Sequence, residues 1–119
     1  MHIDGTHFGN ITIDGKTYDH DVIIHLSGAI EKRRKKLSKE LYGTSHIISK
    51  AEAKSIYEKG CARVIVGAGQ EGNVHLSPQA RDYFDKKGCE VIVEPTPQAI
   101  RSFNLLANEK TIGLIHVTC

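Results

Sequence analysis

From Ser49 onward the sequence repeats one pattern: a helix-start signal, an amphipathic stretch, a glycine, then a short apolar run. Ser49 with Glu52 spells a capping box, in which a serine hydroxyl serves an orphaned amide of the first helical turn. Ala53, Ile56 and Tyr57 give that helix one apolar face, and Gly60 stands where a helix-ending glycine belongs. "ARVIV" follows as a buried strand. Ser77-Pro78 reads as an N-cap with proline at the first helical position, Ala80, Tyr83 and Phe84 as an inner face, and Gly88 as the stop. "CEVIVE" is the next strand. Thr96-Pro97 repeats the N-cap and proline device before Ala99, Ile100, Phe103, Leu106 and Ala107, which recur at helical spacing. "TIGLIHVTC" is a last apolar strand. Strands alternating with helices of about ten residues specify an α/β sheet covered on its faces.

The N-terminal part obeys another rule. "ITIDGKTYDHDVIIH" alternates apolar and polar residues around Asp14-Gly15, a strong hairpin signal. Val22, Ile23 and Ile24 form a more continuous strand, and after a turn at Ser27-Gly28 "AIEKR" returns as a short one. An antiparallel hairpin beside a strand–helix alternation makes the architecture mixed. The 119 residues carry no repeat and no linker, so the expectation is a single α/β domain over 1–119.

Gly67, Gly69 and Gly72 in "VIVGAGQEGNV" spell G-x-G-x-x-G after a strand, the outline of a dinucleotide-binding turn. In that turn a helix begins at the loop and aims its free amides at the pyrophosphate. Here "NVHL" intervenes as an extended segment, and the helix-start signals at Ser77 and Pro78 come five and six residues after Gly72. Glu94 lies about twenty positions on, where a ribose carboxylate would sit. The physical core of the fingerprint is nevertheless missing, so no cofactor is expected. The glycines then supply tight backbone turning or a nest for a single anion.

Six of the eight residues from Lys32 to Lys39 are basic: Lys32, Arg33, Arg34, Lys35, Lys36 and Lys39. The run would meet phosphate or an acidic protein surface, or simply be a solvated edge. It holds no interleaved aromatic, and the net charge is only +2, which weighs against nucleic acid. No apolar run approaches the ~20 residues of a membrane helix, and the N-terminus lacks a secretory pattern. Three cysteines without a C-x-x-C point to a reducing, cytoplasmic setting. Cys61 and Cys89 read as small buried hydrophobes.

Several segments resemble, in the same order, a family of small α/β domains of unknown function: "YGTSHIIS", "VIVGAGQEG", "TPQAIRSFN" and "IHVTC". That family includes the mammalian adipogenesis-associated protein and a mitochondrial complex I assembly factor. The resemblance implies a three-layer α/β fold with a mixed central sheet covered by helices, plus an added N-terminal β-hairpin layer. It brings no established catalytic activity, and for the mitochondrial member it implies a protein-binding role in assembly.

The candidate site follows from strand polarity. Ligands of open α/β sheets gather beyond the carboxyl ends of the strands. The expected cleft is therefore lined by Gly67, Gly69, Gln70, Gly72 and Thr96, with Thr44, Ser45 and His46 of the "GTSH" loop nearby. Thr44 and Ser45 would hold an anion with Arg33 or Arg34, or would instead satisfy loop backbone. Gln70 and Asn104 would be cleft ligands or loop caps. His116 reads as a hydrogen-bonded core residue. Neither H-x-H nor H-E-x-x-H occurs, so no metal is expected. A thiolate pair of Cys119 with His46 or His116 is set aside, because the last residue holds a nucleophile poorly. No acid–base pair or activated nucleophile stands out, so no catalytic residue is assigned. The favoured function is a non-enzymatic domain that binds another protein, as monomer or homodimer. The alternative is a small-molecule or anion-binding protein, enzymatic or not, using the Gly67–Gly72 and Gly43–His46 loops.

Overall fold

In the computed structural model, which describes residues Met1–Cys119, the chain opens with β1 (Ile3–His7), β2 (Asn10–Ile13) and β3 (Lys16–Tyr18). β4 (Val22–Ile24), β5 (Ile30–Lys32), α1 (Lys36–Tyr42), β6 (Ile47–Ile48) and α2 (Lys50–Ile56) follow. The chain continues through β7 (Arg63–Ala68), β8 (His75–Leu76), α3 (Pro78–Lys86), β9 (Glu90–Glu94), α4 (Thr96–Leu106) and β10 (Thr111–His116).

The most continuously apolar run of the sequence becomes the middle of the molecule. β10 is buried along its whole length and lies at the centre of a five-stranded sheet, order β5-β4-β10-β7-β9. β10, β7 and β9 are parallel, β4 runs against β10 and β5 runs against β4, so the sheet is mixed as expected. Strands buried on both faces need no alternation of polar residues, which is why "VIV" and "TIGLIHV" read as unbroken apolar runs.

Alternate residues divide between two cores. Ile23, Val64, Val66, Ile112 and Leu114 pack with Ala53 and Ile56 of α2 and with Ala80 and Phe84 of α3. On the other face Val22, Ile24, Ile65 and Ile115 pack with Ala99, Ile100 and Phe103 of α4 and with Ile3, Ile11 and Ile13 of the N-terminal strands. The result is three layers: helices, sheet, and a second cover made jointly of α4 and a small β-sheet.

That small sheet has three strands, order β1-β2-β3, one more than the expected hairpin. Asp14 (φ 48°) and Gly15 (φ 81°) make the predicted two-residue turn, pairing Ile13 with Lys16. The extra strand is β1, which "HIDGTH" does not announce because its glycine and charges dilute the alternation.

Three local expectations need correction, and one pairing was not expected. α2 ends at Ile56, and Gly60 (φ 90°) turns the chain afterwards instead of capping the helix. Ser49 does accept the Glu52 amide, but the Glu52 carboxylate turns inward to Arg33 rather than back to the Ser49 amide, which the Ser38 hydroxyl accepts instead. Thr96 is the first residue of α4, whose N-cap is Pro95. Its hydroxyl is buried against β7 and β10 rather than capping. Finally, Ile47–Ile48 and His75–Leu76 pair as a two-stranded parallel ladder too short to read from sequence.

Phe103 is almost wholly buried between α4 and the sheet. Phe103→Ala should cost about 3–5 kcal/mol of stability, read as a fall in the urea-unfolding midpoint at unchanged slope.

Candidate functional site

Strand polarity collects the polar residues at one rim. The carboxyl ends of β7, β9 and β10 lie together, and because β4 and β5 are antiparallel, the start of β4 and the end of β5 join them. Val22 is opposite Ile115 on one side and Lys32 on the other. Asp21, Arg33, Gly69, Thr96 and His116 thus meet on a common edge of the sheet.

The centre of this rim is a buried ionic cluster. Arg33 Nε donates to Glu52 Oε2 at 2.6 Å, Nη1 to Asp21 Oδ2 at 3.0 Å, and Nη2 to Glu52 Oε1 at 3.1 Å and the Ser45 carbonyl at 2.8 Å. The Asp21 carboxylate accepts from His116 Nδ1 at 2.7 Å and from the Val117 amide at 2.9 Å. An ionised carboxylate only accepts, so Nδ1 carries a proton, and Nε2 lies 3.0 Å from the Thr118 hydroxyl. Ser38 donates to Glu52 as well. Burial works to raise the Asp21 carboxyl, but the hydrogen bond and charge of His116, the Val117 amide and Arg33 together pull it from 3.8 down to about 2. Burial works to lower the Arg33 guanidinium, and its bonds to Glu52 and Asp21 reverse that and raise it.

Arg33 therefore leaves the surface basic run: it is 4% exposed and its donors are taken by two carboxylates and a carbonyl. The remaining basic residues stay outside. Arg34 pairs with Glu31 at 2.6 Å and Lys36 lies 3.7 Å from Glu40, both exposed. Lys39 is exposed on α1, and Lys32 and Lys35 border a pocket.

The glycine loop is closed by the chain itself. Gly69 and Thr96 do come together: the Gly69 amide donates to the Thr96 hydroxyl and the Thr96 amide to the Gly69 carbonyl, each at 2.9 Å. The Thr96 hydroxyl in turn donates to the His116 carbonyl at 2.6 Å. The Gln70 amide donates to the Thr118 carbonyl at 2.7 Å, and the Asn73 amide to the Cys119 carbonyl at 3.3 Å. Gly69 has φ 97°, and a Cβ there would stand 2.5 Å from the Cys119 carbonyl group. The backbone nest thus receives residues 118 and 119 of the same chain. Gly72 packs against Pro95, and Gly67 against Thr96 and Ile115.

Gln70 and Asn104 act as internal ties. The Gln70 side-chain amide reaches Thr6, the His7 carbonyl and the Val117 carbonyl, joining the first hairpin to the last strand. Asn104 bonds both the amide and the carbonyl of Ile3, at 2.9 Å each. In the "GTSH" loop Thr44 accepts the His46 amide at 3.1 Å, the local turn that competes with ligand binding. His46 sits edge-on to His116, ring centroids 5.5 Å apart, with its Nε2 3.9 Å from the Cys119 sulfur.

The concavity lies on the β4–β5 side of the cluster, and no residue of the glycine loop lines it. It is a cavity of about 250 Å³ with Asp21 and Arg33 at its buried end. Lys32, Lys35, His20 and Asp19 surround it, and Thr118 and Val117 complete the wall. Lys35 Nζ lies 3.6 Å from Asp21 Oδ2, and His20 Nδ1 bonds the Asp21 carbonyl at 2.9 Å. Lys32, Arg33 and Lys35 were visible in the sequence as a basic run. Asp19, His20 and Asp21 carried no signal beyond their place between two predicted strands. No group of three metal-ligating side chains forms anywhere in the chain, and no helix is long and apolar enough to cross a membrane.

The family model described as protein of unknown function (DUF498/DUF598) matches residues 3–115. The chain belongs to this family. The crystal structure of a conserved hypothetical protein from Pyrococcus horikoshii is similar over 100% of both chains, with 36% identity and a TM-score of 0.94. The protein named MT938 is similar over 99% of this chain and 98% of its own, at 29% identity and a TM-score of 0.85. A Bordetella pertussis protein described as a Mth938-like domain covers 98% of this chain and 85% of its own, at 15% identity and a TM-score of 0.65, and shares the fold.

Two measurements probe the cluster. Arg33→Met leaves Asp21 and Glu52 buried without their cation and should cost about 3–5 kcal/mol in urea unfolding at neutral pH. Asp21 has a folded pKa below its unfolded one, so its contribution is present above pH 3.8 and fades as pH falls toward 2. The stability gap between wild type and Asp21→Asn should therefore narrow by about 2 kcal/mol between pH 5 and pH 2, followed by urea titrations across that range.

Proposed function

We propose that this member of the DUF498/DUF598 family is a non-enzymatic protein-binding domain of the assembly-factor kind. Its docking site is the pocket bordered by Lys32 and Lys35, which receives an acidic segment of the partner. The observation that carries this reading is the position of that pocket: the surface basic run of the sequence borders the concavity found in the structure. Arg33 is compensated there by Asp21 and Glu52, so the cations at the mouth of the pocket are Lys32 and Lys35, with Asp19 beside them. Lys36 and Lys39 extend the positive surface along α1.

The groups behind the pocket support binding over catalysis. Asp21, Arg33, Glu52 and His116 are nearly inaccessible and already bonded to one another. Such a cluster holds a shape; a general base must instead reach the proton that it removes. Charge complementarity at an exposed rim accelerates association and sets specificity more than it deepens affinity. The interaction should accordingly be moderate and salt-sensitive. The resemblance of "GTSH", "GAGQ", "SFN" and "IHVTC" to a family with a complex I assembly factor supports the assembly side of the reading.

A second reading uses the same pocket for a small anion such as inorganic phosphate, favoured by the size of the cavity, about 250 Å³. One experiment separates the two. A fluorescein-labelled glutamate-rich peptide should bind with an anisotropy change, and affinity should fall as salt rises from 50 to 300 mM (about tenfold). The double reversal Lys32→Glu/Lys35→Glu should weaken it at least tenfold while the circular dichroism spectrum is unchanged. Phosphate that raises the melting temperature of wild type but not of the double reversal, with no peptide binding, replaces the first reading by the second.

A further inference from the structure

Two thiols stand apart from everything described so far. Cys61 and Cys89 belong to neither the ionic cluster nor the pocket, and they are free, buried and separated by 27 residues in the chain. Their sulfurs are 3.5 Å apart. The fold brings them there for a simple reason. Cys61 precedes β7 and Cys89 precedes β9, and these strands are parallel neighbours with Arg63 opposite Glu90. The two chain segments therefore enter the sheet side by side, joined by the Glu90 amide to the Ala62 carbonyl at 3.0 Å.

We propose that Cys61 and Cys89 form a dithiol modification site, which a peroxide or a disulfide oxidant converts to an intramolecular disulfide tying the entry of β7 to the entry of β9. This inference is independent of the docking pocket. A disulfide needs its sulfurs at about 2.05 Å, so the pair must close by about 1.5 Å, a distance within reach of side-chain rotation. Each cysteine follows a glycine-containing turn: Cys61 N donates to the Glu58 carbonyl and Cys89 N to the Phe84 carbonyl. The turns hold the backbone while the side chains move.

The chemistry balances with hydrogen peroxide as oxidant. Either thiol can donate the hydrogen bond between the two sulfurs. A bond donated by the Cys89 S–H to an ionised Cys61 stabilises that thiolate and lowers the Cys61 pKa, so Cys61 is the sulfur that ionises first. Its thiolate attacks one peroxide oxygen, the O–O bond breaks, and hydroxide leaves and takes up the proton that Cys61 released. Cys61 is then a sulfenic acid. The Cys89 sulfur, already in contact, attacks the Cys61 sulfur, the S–O bond breaks, and the oxygen departs as water with the Cys89 proton. Two thiols and one peroxide become one disulfide and two waters. The burial of both sulfurs favours this outcome over further oxidation, because the resolving thiol is closer than any second peroxide.

The test uses the folded wild-type protein, treated with hydrogen peroxide and quenched, then unfolded and alkylated with iodoacetamide. Peptide mapping should find a Cys61–Cys89 linked pair and alkylated Cys119. The oxidised protein should unfold at a higher urea concentration than the reduced one, because the bond restrains the unfolded chain. That shift should vanish in Cys89→Ser, where dimedone should instead label Cys61. Linkage that forms only in urea overturns the proposal. So does peroxide consumption by Cys119 while Cys61 and Cys89 both remain alkylatable.

Discussion

The bidentate grip of Arg33 on Glu52 and its bond to Asp21 are the contacts on which the rim of this fold depends. One guanidinium joins the start of β4, the end of β5, the first turn of α2 and the Ser45 carbonyl of the "GTSH" loop. Asp21 passes the connection to β10 through His116 and the Val117 amide. Four separate chain segments are thereby fixed to the central strand at its carboxyl end. Such a cluster is costly to desolvate and is justified only when every donor and acceptor has a partner. That condition is met, for no buried side-chain nitrogen or oxygen lacks one.

The rim is fully bonded, and its bonding fixes the shape of the loops around it. The glycine loop illustrates this. Its amides face inward to residues 118 and 119, and the approach is so close that Gly69 admits no side chain. The loop is a socket for the end of β10. Gln70 extends the same socket to the N-terminal sheet, so the first and last strands are held by one side chain. What remains open is the flank of the cluster at Lys32 and Lys35, where the cationic side chains project beyond their buried neighbours.

Much of the architecture was legible because periodicity reports burial. The unbroken apolar runs marked the central parallel strands, the helical spacing from Ala99 to Ala107 marked α4, and Asp14-Gly15 marked its turn. The site was less legible, for reasons of chemistry. Arg33 looks identical to its neighbours in "KRRKK" until tertiary structure supplies two carboxylates from distant segments. Glu52 satisfies a capping-box pattern, yet the pull of a buried guanidinium is stronger than that of a backbone amide. Thr96 has the sequence of an N-cap and the position of a core residue. Cys61 and Cys89 were read correctly as buried, but their contact depends on strand register, which no local pattern encodes.

The same register separates the two proposed activities. Arg63 to Ala68 spans about 17 Å at the rise of an extended strand, with the cysteines before its first residue and the ionic rim at its last. Groups that far apart with no shared partner act almost independently. A covalent tie between the entries of β7 and β9 leaves the distances among Asp21, Arg33 and Lys35 as they were. What it changes is how readily the parallel half of the sheet separates, and with it the lifetime of the folded domain. The pocket is shaped by the antiparallel half, β4 and β5, which the β4 ladder holds on β10 and which Arg33 reinforces at the rim through Asp21 and His116. The two halves of the mixed sheet thus carry different duties, and β10, buried on both faces between them, is the strand that makes them one molecule.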